Sequence, residues 1–154
     1  PPRPTAAMSI DVTTEVHIRR PRDEVAAYMI DPAHDPEWIG GIREARLLGD
    51  PPVAVGSRVA RVATFLGRRL EYVNEVVELD PARCLDMRSV VAPFPMRITY
   101  SFAERDGGTT VRNRVRGGRG GFFRLLGPLL GPLVRRSVQR DLERLRDRLE
   151  RPSG

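Results

Sequence analysis

A chain of 154 residues, 40% hydrophobic and 30% charged, has the size and balance of one ordinary domain, able to bury about 70% of the surface its unfolded form exposes. A single cysteine, Cys84, rules out an internal disulfide, two histidines leave no zinc-ligand spacing, and no apolar run approaches the roughly 20 residues that cross a bilayer. The net charge of +6 comes from 26 arginines without one lysine, scattered along a chain with only 6% aromatics, so coding bias explains it better than a nucleic-acid surface does.

Residues 1–8 stand outside the fold expectation: they lack the plan of a signal peptide, Met8 reads as a native start, and the stretch before it is expected to be disordered or derived from cloning. From Ile10 to Ile18, apolar residues alternate with polar ones, the period of a half-buried strand. Pro21 opens a helix whose first turn carries Asp23 and Glu24, which suit the positive end of the dipole, and Pro32 stops it. Asp35-Pro36-Glu37-Trp38 then reads as an N-cap, a first-turn proline and an acid, ended by Gly40-Gly41, so that Trp38 rides on a brief second helix.

Between residues 42 and 117, about six strand-like runs are separated by turn residues at 49–52, 67, 80–81, 93–95 and 106–108. No strand–helix–strand alternation occurs, which predicts an antiparallel meander. A two-residue type I′ turn at Asp106-Gly107 would set Phe102 against Val111, Tyr100 against Asn113 and Ile98 against Val115. Arg112, Arg114 and Arg116 then share the outer face with Arg97, Thr99 and Ser101. The strand around Glu71 to Leu79 has two readings, with either Tyr72, Asn74 and Val76 or Val73, Glu75 and Val77 turned inward. After Gly121 the leucines and valines recur at three- and four-residue steps, predicting a long amphipathic helix. Pro128 and Pro132 predict that its uninterrupted part begins near Pro132, with 122–131 a kinked or separate apolar segment.

The opening, in which residues 16–21 lead into Glu24-Val25, Asp31-Pro32 and Pro36-Glu37-Trp38, resembles the START-like (SRPBCC) superfamily, and within it the polyketide cyclase/dehydrase and lipid-transport group. Residues 75–81, the glycine turn and Thr-x-Val of residues 106–111, and the helix end at 142–150 are similar to the same group, so the resemblance spans residues 9–150. It implies a single α+β domain of the helix-grip type: a curved antiparallel sheet of about six or seven strands wrapped around a long C-terminal helix, with two short helices after the first strand and a tail at 151–154. It also implies an apolar cavity between sheet and helix that takes sterols, lipids, polyketides or quinones, with catalysis in only some members.

Trp38, Phe65, Met87, Met96, Tyr100, Asn113, Phe123, Leu126 and Leu130 are the candidate walls of that cavity. Tyr100 and Asn113 stand out because the hairpin register aims two hydrogen-bonding groups side by side into an apolar face, where leaving either unpaired costs about 1–3 kcal/mol. Ordinary packing explains any one apolar residue, and a Tyr–Asn bond explains the pair as well as a ligand does. An inward Glu75 or Arg88 would favour acid/base catalysis. His17 falls on the polar face of the first strand, and His34 near the mouth or the surface.

The leading expectation is a cytoplasmic carrier of a hydrophobic small molecule, with residues 122–133 as a lid and with no metal, cofactor or nucleic acid. A polyketide cyclase, aromatase or dehydratase is the alternative. A third reading sets the Phe122, Phe123, Leu125 and Leu126 segment, flanked by arginines, against an anionic membrane surface. Oligomeric state is left open.

Overall fold

The computed structural model describes residues 8–152; what was expected of residues 1–7, of the 153–154 end and of the Phe122 side chain lies outside the described residues. Strand β1 (Ile10–Ile18) is followed by α1 (Arg22–Ile30), a 3-10 turn (Pro32–His34) and α2 (Asp35–Trp38). Six strands follow, β2 (Ile42–Leu48), β3 (Arg58–Phe65), β4 (Arg68–Asp80), β5 (Cys84–Val91), β6 (Met96–Arg105) and β7 (Gly108–Gly117), before helix α3 (Gly121–Leu149). They form one seven-stranded sheet in the order β1-β7-β6-β5-β4-β3-β2, every neighbour antiparallel. The long crossing is the one that brings β1 beside β7; every other strand pairs with its sequence neighbour, as the short turns dictate.

The alternation in β1 translates directly into burial: Ile10, Val12, Thr14, Val16 and Ile18 are buried and the residues between them exposed. Asp106 and Gly107 both have positive φ, 49° and 76°, as a type I′ turn requires, and Tyr100 pairs with Asn113 in the expected register. Gly108 sits so close to the end of β1 that a Cβ there would collide with the Ile18 carbonyl, which makes glycine obligatory at that crossing.

The last helix is continuous: α3 runs through both Pro128 and Pro132, so residues 122–131 belong to it and are not a separate segment. The two prolines stand four residues apart and so remove donors from one side of the helix, leaving the bonds on its other sides to carry the turn. Packing tightens along its length. Leu142 and Leu145 are fully buried against Trp38 and the sheet, each contributing about 1.5–3 kcal/mol of apolar burial, whereas Leu125, Leu129 and Leu133 in the first turns are exposed. Polar ties fix the buried end: Arg20 Nε donates to the Leu149 carbonyl at 2.7 Å, and Arg144 donates to the Trp38 carbonyl at 2.8 Å. Gly40 N–H donates to Asp141 Oδ1 at 3.0 Å.

Candidate functional site

Between the concave face of the sheet, α2 and α3 lies a partly open cavity of about 130 Å³. Each wall follows from a local sequence rule. The β6–β7 register puts Tyr100 and Asn113 side by side with Ile98 and Val115 on the same inward face. On β4 it is Asn74 and Val76 that are buried, with Tyr72 on the cavity wall, which settles the open strand in favour of the first reading. Glu75 is thereby turned outward, where Arg88 and Arg58 bond to it and hold its carboxyl below the ordinary range; Arg88 is exposed too. Neither Glu75 nor Arg88 therefore points inward, the placement that would have favoured acid/base catalysis.

A different charged pair takes the interior. Arg61 of β3 shares its strand parity with the buried Val59 and Ala63, so its side chain enters the core and lines the cavity. Arg61 Nε donates to Asp35 Oδ2 at 2.8 Å, with the two side chains only 6% and 1% exposed, and both terminal nitrogens lie 3.8 Å from Met87 Sδ. Asp35 is therefore not the N-cap that the sequence suggested. The chain already follows helical backbone through His34, and the capping role falls one turn earlier to Asp31, whose side chain accepts from Ala33 N–H at 3.0 Å. Burial pushes the Asp35 carboxyl up, and the Arg61 guanidinium draws it only part of the way back. Sequence reasoning missed Arg61 because Val59 and Ala63 on one parity are matched by Ala60 and Val62 on the other, so alternation could not say which face the arginine takes.

Trp38 and Tyr100 meet on the wall with ring centroids 5.8 Å apart. Burial pushes the Tyr100 hydroxyl far up, keeping it a neutral donor. Trp38 Nε1 and Asn113 Oδ1 are both buried without a partner among the described residues, so a donor and an acceptor of opposite kind stand unused on one small cavity. Asp141 of α3 closes the space from above; burial pushes its carboxyl up against the bonds from Gly40 N–H and Arg144.

Of the nine candidate wall residues, Trp38, Tyr100 and Asn113 line this cavity and Met87 is buried beneath Arg61. Phe65, Met96, Leu126 and Leu130 are half-buried outside its lining, and Phe123 packs on Phe94 with ring centroids 5.2 Å apart. Phe123, Leu126 and Leu130 ride on the first half of α3, whose turns border an open groove along β1. His17 is exposed, and His34 stacks on Tyr28, its Nδ1 2.9 Å from Glu37 Oε2. Among the described residues no cluster of His, Cys, Asp and Glu has the arrangement of a metal site, and no helix is long and apolar enough to cross a membrane.

The family model described as polyketide cyclase/dehydrase and lipid transport matches residues 9–150. Among solved structures, TTHA0849 from Thermus thermophilus is similar at 20% identity and a TM-score of 0.78, over 90% of this chain and 96% of that one. A START superfamily protein from Mycobacterium smegmatis matches at 13% identity and a TM-score of 0.75, over 91% and 97%. The Zhui aromatase/cyclase from Streptomyces sp. R1128 matches at 18% and 0.73, over 92% and 93%. No functionally curated protein matches the sequence.

Proposed function

Because this chain belongs to the polyketide cyclase/dehydrase and lipid-transport family of START-like proteins, we propose that it binds an apolar small molecule with a carbonyl or hydroxyl oxygen in the cavity between sheet and α3. The observation that carries the reading is the unpaired Asn113 Oδ1, buried on the cavity wall beside the neutral Tyr100 hydroxyl. A ligand hydroxyl donates to the first, and a ligand oxygen accepts from the second, replacing a cost of about 1–3 kcal/mol for each group left bare. A space of about 130 Å³ suits one aromatic ring or a short chain, since roughly 150 Å³ of apolar cavity is enough for benzene. The rest of a larger molecule would extend past the loose turns of α3, which act as the lid.

Native mass spectrometry of the purified protein tests this at once: a co-purified apolar molecule is the expected result. Asn113→Leu should lower the affinity of a hydroxyl-bearing ligand about tenfold while leaving the free protein as stable or more so, because it removes an unpaired buried acceptor. Unchanged affinity would set the proposal aside.

A second reading, catalysis on a ketone substrate, is favoured by Asp141 and Arg61 bordering the same cavity. A carboxylate pushed up by burial is a better proton acceptor near neutral pH, and a guanidinium across the cavity stabilises an enolate. Exchange of the α-protons of benzoylacetone in deuterated buffer, followed by NMR, would be accelerated by the protein and lost in Asp141→Asn. Exchange no faster than in buffer alone leaves the carrier reading.

A further inference from the structure

Seven large apolar side chains are exposed among the described residues, and most of them gather at one end of the molecule. Leu125, Leu129 and Leu133, at 78%, 67% and 45%, recur every four residues and so form one stripe on the outer face of α3. Leu66 on the β3–β4 turn and Val91 at the end of β5 are exposed too. The register puts these segments at the same end of the sheet as the start of α3: Phe65 pairs with Arg68, Ile10 and Met96 both pair with Gly117, and the helix begins four residues later. Of the residues that the sequence set against a membrane, Leu125 is exposed, whereas Phe123 packs on Phe94 and Leu126 is half-buried. The outward stripe therefore continues through Leu129 and Leu133 instead.

The charge at that end is one-sided. No acid occurs between Asp106 and Asp141, a stretch that holds eight arginines. Arg112 and Arg114 are taken up by Glu15 and Asp11, but the side chains of Arg119 and Arg124, and of Arg68 at the start of β4, are exposed and make no ion pair or hydrogen bond among the described residues. Glu71 nearby is held by Arg69, and the adjacent Arg43 and Glu44 offset one another. Arg124 borders the groove along β1, yet the acids there do not neutralise it: Asp11 and Glu15 are the two already bonded, and Glu143 lies about 28 Å further along the helix. At the opposite end the arginines are matched, Arg19 by Glu150, Arg22 by Glu104 and Arg83 by Glu78.

From this we infer that the protein docks by this end on the surface of an anionic lipid bilayer, with Leu66, Leu125 and Leu129 at the acyl boundary and Arg68, Arg119 and Arg124 at the phosphates. The leucines stand on a convex helix face and on a turn tip, shapes to which a fluid acyl layer conforms. Unmatched arginine beside them is the charge that anionic headgroups complement, since its stem lies along apolar surface while its planar fork reaches phosphate oxygens. No described helix is long and apolar enough to cross the bilayer, so the contact is with its surface. Each arginine near such a surface raises affinity about fivefold, and salt weakens it. The inference is independent of what the cavity holds.

Liposome flotation tests it, with vesicles of phosphatidylcholine set against vesicles containing about one-third phosphatidylglycerol. The protein should float with the anionic vesicles and bind them at least about tenfold more tightly than the neutral ones at low salt, an advantage that shrinks severalfold in about 0.5 M NaCl. Leu125→Ser/Leu129→Ser and Arg119→Glu/Arg124→Glu should each lose about tenfold in binding, with thermal melting showing both variants folded, since all four side chains are exposed. Arg83→Glu/Arg105→Glu removes the same charge from the opposite end of the sheet and should bind as the parent does. Equal loss in the two charge variants would mean that net charge alone draws the protein to lipid, and the docking surface falls. It falls too if neither vesicle binds, or if neutral vesicles bind as well as anionic ones. A dimer that Leu125→Ser/Leu129→Ser disperses in sedimentation, without vesicle binding, would overturn the inference by assigning the stripe to a second copy of the chain.

Discussion

Buried charges dominate the residue scale here, because a lone ion in the interior is far more costly than any lost contact. Removing Arg61 as Arg61→Met strands the Asp35 carboxylate at 1% exposure, and removing Asp35 as Asp35→Leu strands the guanidinium. Either single change should cost about 3–5 kcal/mol. The double variant should recover most of that, since two apolar groups replace two charges that had to be desolvated. Urea denaturation of the two singles and the double tests the coupling, and additive losses would mean that the pair does not act as a unit. The interior also holds Cys84, whose thiol burial pushes up, in keeping with a packed apolar group in place of a nucleophile.

Helix α3 joins two parts of unlike stability. From Asp141 onward it is held by buried leucines and by bonds from Arg20 and to Trp38; before that, the described side chains are exposed or half-buried. Pro128 and Pro132 fall in the weak part, and a proline in a helix interior is worth about 3 kcal/mol less than alanine. Pro128→Ala should therefore raise the melting temperature and slow amide hydrogen exchange across residues 123–135 without altering exchange near Leu145. If the loose half is the lid, ligand association slows in the same variant. Unchanged exchange in both halves would mean that the prolines are not what loosens the helix.

Acid stability is a property of the whole molecule and can be given a sign from the carboxylates. Asp86 loses by burial but gains more from the bidentate Arg97 contacts at 3.0 and 2.6 Å and from Thr99, so its carboxyl lies below the ordinary value of 3.8. Asp11 is held low chiefly by its bond from Arg114, and Glu37 by its bond from Tyr28, whose own hydroxyl burial and that same carboxylate push up to about 12. A group whose folded value is depressed supplies stability that is complete above its unfolded value and disappears as pH falls through the folded one. Asp35 and Asp141 work the other way, because their raised values mean that protonation relieves a burden. The melting temperature should thus not fall until about pH 4, rising if anything as Asp35 and Asp141 take up protons, and should fall below it. Asp86→Asn should be less stable at pH 7 and show a shallower acid limb. A limb of the same slope would exclude Asp86 from it.

Much of this architecture was legible beforehand, and the reason is locality. Period-2 alternation in β1, the positive-φ pair at Asp106-Gly107 and the proline stops of α1 are decided by neighbours in the chain, so they determine strand, register and helix from the residues alone. The Tyr100–Asn113 pair follows from the same turn. What the linear order left undecided was every choice between two locally equal faces: Glu75 against Asn74 on β4, and Arg61 against Ala60 or Val62 on β3. Those were decided by distant partners. Asp35, 26 residues away, makes an inward Arg61 tolerable, and Arg58 and Arg88 make an outward Glu75 favourable. A charge can enter a core only where another element brings its counter-ion, and only tertiary structure brings that ion there.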